Sequence, residues 1–165
     1  MNLHDSSRQL GSLRALELAC FRLLGERAPR LEPASFAVWA ASASRAHAWR
    51  AALLEELLPV SAGLPGLEEL TVLPGGALGE ALARWLPESG DGFADDEYRD
   101  RRSDNGLRLV ADVTGGLYPL LIGEYALHLD KCTPAADGAV IRAIGRATAD
   151  LEAVQQQGAA LCARR

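Results

Sequence analysis

Residues 33–59 read PASFAVWAASASRAHAWRAALLEELLP, a long run bounded by prolines with no glycine or proline inside it. At about 100° per residue, Phe36, Ala40, Ala43, His47, Ala51, Leu54 and Leu58 fall on one stripe. Such a stripe is the buried face of a helix, and here it carries an imidazole near its centre. The stretch predicts a helix over 34–58 with an ionisable group turned inward. The rest of the chain is read around it.

Upstream, Ser6 or Ser7 is placed to cap a helix over 7–27, because a serine oxygen accepts from first-turn amides that lack a helical partner. Leu10, Leu13, Glu17, Cys20, Phe21 and Leu24 share one face of it, with Glu17 near the middle. The break APRLEP at 28–33 is short, so these two helices should be antiparallel neighbours. Downstream, Pro59 ends the second helix. Residues 60–104 change texture: a loop, a short amphipathic helix over 77–86, then the acidic, glycine-containing ESGDGFADDEYRD. A connection this long suits a crossover running the length of a bundle.

A third long helix is predicted over 107–131, with a kink where Gly115, Gly116 and Pro119 interrupt it. Val110, Thr114, Leu117, Leu121, Glu124 and His128 approximate its inner stripe. Thr133 and Pro134 form an N-terminal signature for a last helix over 134–162. Its stripe is Val140, Ile144, Ala147, Leu151, Val154, Gly158 and Leu161, with no acid or histidine on it. The expectation is one all-α domain spanning 1–165, a four-helix bundle with a long crossover between the second and third long helices.

Composition agrees with that class. The chain has 165 residues, 48% hydrophobic and 24% charged, with its apolar content dominated by Ala and Leu, which favour helix over sheet. A net charge of -5 argues against a nucleic-acid partner, which needs a basic face for phosphates. Cys20, Cys132 and Cys162 form no CxxC and leave one unpaired, as expected of reduced thiols. The polar start MNLHDSSRQL and the lack of any run of about 18 apolar residues predict no signal and no membrane span, hence a cytoplasmic protein.

Glu17, His47, Glu124 and His128 thus form the set of inward ionisable groups. A charge inside a core is costly unless it is paired or bound to a metal. With a rise of about 1.5 Å per residue and a full crossover, Glu124 comes level with His47, and Glu17 lies about one turn away. Mutual satisfaction, such as Glu17–His47 or His47–Glu124, is the plainest outcome, with Tyr118 and Tyr125 as further hydrogen-bond partners. A metal site and metal-free acid/base chemistry are the alternatives. Trp49 lies about 140° from the inner stripe and faces either the crossover, where Trp85 packs with it, or a partner subunit.

This layout of two helical hairpins, with Glu and His at mid-bundle, resembles the ferritin-like superfamily over about residues 7–160. Ser44-Arg45-Ala46-His47 is similar to the Glu-x-x-His motif of its di-iron members with the carboxylate missing, Glu17 stands where a first glutamate would, and Glu124 where a later one would. The last helix carries no Glu-x-x-His; Asp150 and Glu152 only flank its stripe. The stretches SRAHAWRAALLEELLP and YALHLDKCTPAADGAVIRAIGRA also resemble actinobacterial ferritin-like proteins without an assigned activity. The resemblance implies a degenerate bundle without a complete di-iron site, a non-catalytic accessory or partner-binding protein, with a homodimer or a protein partner and no cofactor. A second resemblance, of Glu124-x3-His128-x-Asp130, is to mycothiol-dependent isomerase-type bundles. It implies the alternative, one divalent metal (Zn or Fe) held by His47, Glu124 and His128 in an enzyme.

Overall fold

A computed structural model describes residues 3–83 and 102–164. The described residues are helical, without a strand: α1 (Leu3–Arg27), α2 (Ala34–Glu56), α3 (Leu67–Leu70), α4 (Ala77–Ala83), α5 (Arg102–Asp112), α6 (Tyr118–Leu129) and α7 (Pro134–Ala163). The all-α class is therefore observed. No helix among the described residues is long and apolar enough to cross a membrane. Trp85, the acidic stretch and the end of the expected 77–86 helix lie outside the described residues.

α1 and α2 make the most extensive pairing among the described residues. A single 3-10 turn, Ala28–Arg30, and the following bend join them, so they run antiparallel. Small residues line the seam. Ala40, Ala43 and Ala51 are buried on α2, and Ser44 Oγ donates to the Phe21 carbonyl at 2.8 Å. Close approach lets these backbones share a core built on Leu10, Leu13, Leu16, Leu23, Leu24, Phe36 and Leu54. Phe21, expected on the inner face, is 39% exposed; Leu16 and Leu23 take that space.

Two expected caps differ in detail. α1 begins at Leu3 rather than near Ser7, and Ser7 Oγ donates back to the Leu3 carbonyl from inside the helix. At α7, Thr133 is the N-cap residue and Pro134 opens the helix, but the side-chain acceptor is Asp137, whose Oδ2 receives the Thr133 amide at 2.8 Å. The carboxylate reaches back because it is the stronger acceptor and sits beside the positive end of the helix dipole.

The third long segment is where the regular pattern breaks. Residues Val113–Leu117 form a π turn that joins α5 to α6, at the Gly115-Gly116 pair and just ahead of Pro119. Proline cannot donate its amide, and a wide turn takes up the lost bond and the ring's bulk. It also turns the helix beyond it relative to the helix before it. Tyr118, Leu121, Tyr125 and His128 are the buried residues of α6, and Glu124 lies at the margin, half-buried. Of the stripe expected beyond the turn, Leu121 and His128 are buried, and Glu124 alone lies off it.

α7 closes the bundle against α2, α5 and α6. Of its buried residues, Ile144, Ala147, Leu151 and Gly158 lie on the expected stripe, and Ala143 adjoins it. Gly158 has a steric role: a Cβ there would meet Thr114 Cγ2 at 2.6 Å and the Trp39 ring at 2.8 Å. The absent side chain lets the indole lie on α7 and donate to the Val154 carbonyl at 3.1 Å. Gly158→Ala would add about 1 kcal/mol of helix propensity. The forced shift of a packed indole costs about 1–3 kcal/mol, so the expected result is a lowered urea midpoint with altered Trp fluorescence. A raised midpoint would mean that the contact relaxes freely.

Candidate functional site

Glu17 sits at the middle of α1's buried face, among leucines, with no exposed surface. An ionised carboxylate there requires donors, and three arrive from two other helices. His47 Nδ1 on α2 lies 2.6 Å from Oε2, Arg50 Nε on α2 donates to the same oxygen at 3.0 Å, and Tyr125 on α6 donates to Oε1 at 2.5 Å. A fourth helix joins through Arg50, whose Nη1 donates to Asp150 Oδ2 on α7. On the far side of the imidazole, Nε2 lies 2.9 Å from the Tyr118 hydroxyl.

Donor and acceptor roles follow from what each group is able to do. A carboxylate only accepts and a guanidinium only donates, so Nδ1, flanked by Glu17 and by Arg50 Nη2 at 2.8 Å, bonds to one of them. The Glu17 distance is the shorter, and a proton on Nδ1 leaves Nε2 bare to accept from Tyr118. We assign that tautomer. The chain then reads Tyr118 O–H to His47, His47 N–H to Glu17, with Arg50 and Tyr125 completing the carboxylate's shell. Every polar atom of Glu17 and His47 is engaged.

The electrostatics are consistent with one anion, one cation and a neutral imidazole in the interior. Burial alone pushes the Glu17 carboxyl up, but His47, Arg50 and Tyr125 together outweigh it and hold its pKa below the ordinary 4.5. Burial pulls His47 below the ordinary 6.5, opposed by Glu17 and aided by Arg50. Both tyrosines are pushed well up, first by burial and then, for Tyr118, by Cys20 and, for Tyr125, by Glu17, so they stay phenolic. Burial also raises the Cys20 thiol, with Glu17 adding to it, which leaves this cysteine unreactive.

Of the four residues expected to gather, the structure brings together Glu17 and His47. Glu124 takes no part in the hydrogen-bonded cluster: it lies half-buried at the margin of α6, and its neighbour Tyr125 is the residue that meets Glu17. His128 is buried, yet among the described residues neither ring nitrogen has a hydrogen-bond partner, and the charges acting on it are those of Lys131 and Asp137. Tyr118 and Tyr125 are the partners expected of them. Arg50 and Asp150 are the members that the stripe reading missed. Arg50 follows His47 by three residues and so shares its side of α2, a signal present in the sequence. Asp150 is 40% exposed and reaches inward from the edge of α7, which corrects the expectation that this helix contributes only hydrocarbon.

No protein family, no curated protein and no solved structure matches this chain. The site is therefore judged on its own chemistry. A metal ion does not fit its donor set: both His47 nitrogens and both Glu17 oxygens are committed, and a permanent cation lies within bonding distance of the two. Among the described residues no group of three or more His, Cys, Asp or Glu side chains is placed to hold a metal.

The cluster makes two predictions. Arg50→Met strands Glu17 and should cost about 3–5 kcal/mol in urea unfolding, whereas Glu17→Gln/Arg50→Met should recover a large part of that loss. An Arg50→Met protein as stable as wild type would show that the guanidinium does not neutralise Glu17. Acid should destabilise in two steps. His47, with its pKa depressed in the fold, costs nothing above its ordinary 6.5 and progressively more as pH falls below it. Glu17, also depressed, contributes stability above its ordinary 4.5 that is lost as pH falls from there through its folded value. Midpoints measured across this range should decline monotonically; a rise on acidification would contradict both signs.

Proposed function

We propose that the chain is a degenerate ferritin-like bundle whose interior polar site is closed, acting as a non-catalytic accessory protein through its surface, toward a protein partner or a second copy of itself. Arg50 carries this reading. Its guanidinium stands between Glu17 and Asp150 and against His47, three residue types that otherwise serve as metal ligands, and supplies the positive charge from the protein itself. A bonded cation at that point leaves neither a vacant donor nor a proton acceptor within reach of substrate.

Surface features support the second half of the proposal. The outer side of α2 exposes Val38 at 67% and Trp49 at 49%, two large apolar side chains on one long helix. Beside Val38 a groove of about 610 Å³ runs between the start of α2 and the end of α7, floored by Trp39 and Leu161. Exposed apolar area of this kind on a helix is the usual material of a protein contact.

The test is titration of the purified chain with Fe²⁺, Zn²⁺ and Mn²⁺, alongside elemental analysis of protein from metal-supplemented cells. The expected result is no stoichiometric metal in either. About one ion per chain, absent from His47→Ala, would overturn the closed-site reading. In light scattering on the same samples, a mass fixed at 17.6 kDa at every concentration would assign the exposed face to a different protein.

A further inference from the structure

The outer side of α2 carries a pattern of its own. Val38, Ser42, Arg45, Trp49, Ala52 and Glu56 are all exposed and follow one another at alternating steps of four and three residues. That spacing keeps them on one stripe, and it is the spacing with which one helix seats against another. No salt bridge among the described residues engages Arg45 or Glu56, whereas the neighbouring Glu55 is held by Arg14. The second half of the stripe thus presents, in order, a cation, a large ring, a methyl group and an anion.

Arg45 and Glu56 stand about 16 Å apart along the axis, too far to neutralise each other within one chain. Read backwards, however, the same order is its own complement. Laid antiparallel about a twofold axis, Arg45 meets Glu56 of a second copy, Trp49 meets Ala52 of that copy, and each contact occurs twice. Large then faces small, and each charge faces its opposite. Other registers of the same spacing lose this. One heptad along, Glu56 lies on Val38 of the second copy; two heptads along, Arg45 lies on Ser42 and Glu56 runs past the helix. A parallel pair sets Arg45 on Arg45. The surface beside Ala52 is also concave: a groove of about 620 Å³ lies there, lined by Ala52, Glu56, Pro59, Val60 and Leu67, so an arriving indole has apolar walls to cover.

We propose that the outer stripe of α2 is a self-complementary interface on which two copies of this chain dock antiparallel, Trp49 of each over Ala52 of the other and Arg45 against Glu56. That pairing presupposes the reading of α2's outer side as a protein contact given above, names its occupant, and does not depend on the interior site being closed. The two indoles, near the twofold axis, supply the attraction, as buried aromatic anchors do at protein contacts. The two ion pairs lie at the ends, where solvent screens them, and fix direction and register more than strength. Four layers of side chains and the groove walls make an interface at the small end of those that proteins use, so the dimer is reversible.

Light scattering on the full chain across a wide concentration range tests this. The mass of the wild type should climb from 17.6 kDa toward twice that value. Trp49→Ala, which removes a ring from both sides, should weaken the pairing by at least about a hundredfold. Arg45→Glu and Glu56→Arg each set like charges together twice and should each weaken it about tenfold. Mixed in equal amounts, those two variants should pair with one another about as well as the wild type, because every charged contact between them then joins opposites. All three positions are exposed, and far-UV spectra matching the wild type check that each variant folds. A wild type of fixed monomeric mass, a dimer untouched by Trp49→Ala, or a mixture that pairs no better than its components would each overturn the interface. One metal ion bound per chain, by contrast, would sink the closed interior site and leave this interface standing.

Discussion

A single buried carboxylate sets the internal order of this bundle. Glu17 has no contact with solvent, and its charge is tolerable only because three donors converge on its two oxygens. Those donors come from α2 and α6, and Arg50 carries the connection on to Asp150 of α7. One side chain thus fixes the axial register of four helices. Leucine contacts alone would not do so, since apolar side chains tolerate sliding by a turn at modest cost, whereas a charge displaced by a turn loses every partner at once.

The irregular turn at Val113–Leu117 is the second constraint, and the cluster depends on it. Past that turn Tyr118 meets His47 of α2 and Tyr125 meets Glu17 of α1, while Glu124 stays at the margin, off a carboxylate that already has its own anionic charge. Two acids side by side in a core repel, and one would have to take a proton. Gly115, Gly116 and Pro119 make the wide turn inexpensive at the place where it is needed. A local defect in one helix therefore chooses phenols over a second acid for the interior.

His47 and His128 show how differently the same side chain behaves under two settings. His47 lies between a carboxylate and a hydroxyl, with both nitrogens engaged and its tautomer assigned by its neighbours. His128 is equally hidden and has no hydrogen-bond partner among the described residues. The first is part of what holds the helices together. The second lies where α6 gives way to α7.

The sequence by itself determined the helical class, the interruption of the third long segment at Gly115–Pro119, and the inward placement of Glu17 and His47. Each of these rests on local information: composition, a 3.6-residue period, the absence of an amide at proline. Arg50 was legible too, three residues from His47, but periodicity ranks residues by hydropathy and so passes over a guanidinium on the inner side. What only the tertiary structure decided is the direction in which α6 faces beyond its wide turn, the reach of Asp150 from the edge of α7, and the isolation of His128. These depend on how helices distant in sequence are rotated and how closely they approach. Successive residues of a helix point about 100° apart, so a modest difference in rotation decides whether Glu124 or Tyr125 meets Glu17, and no local pattern records it.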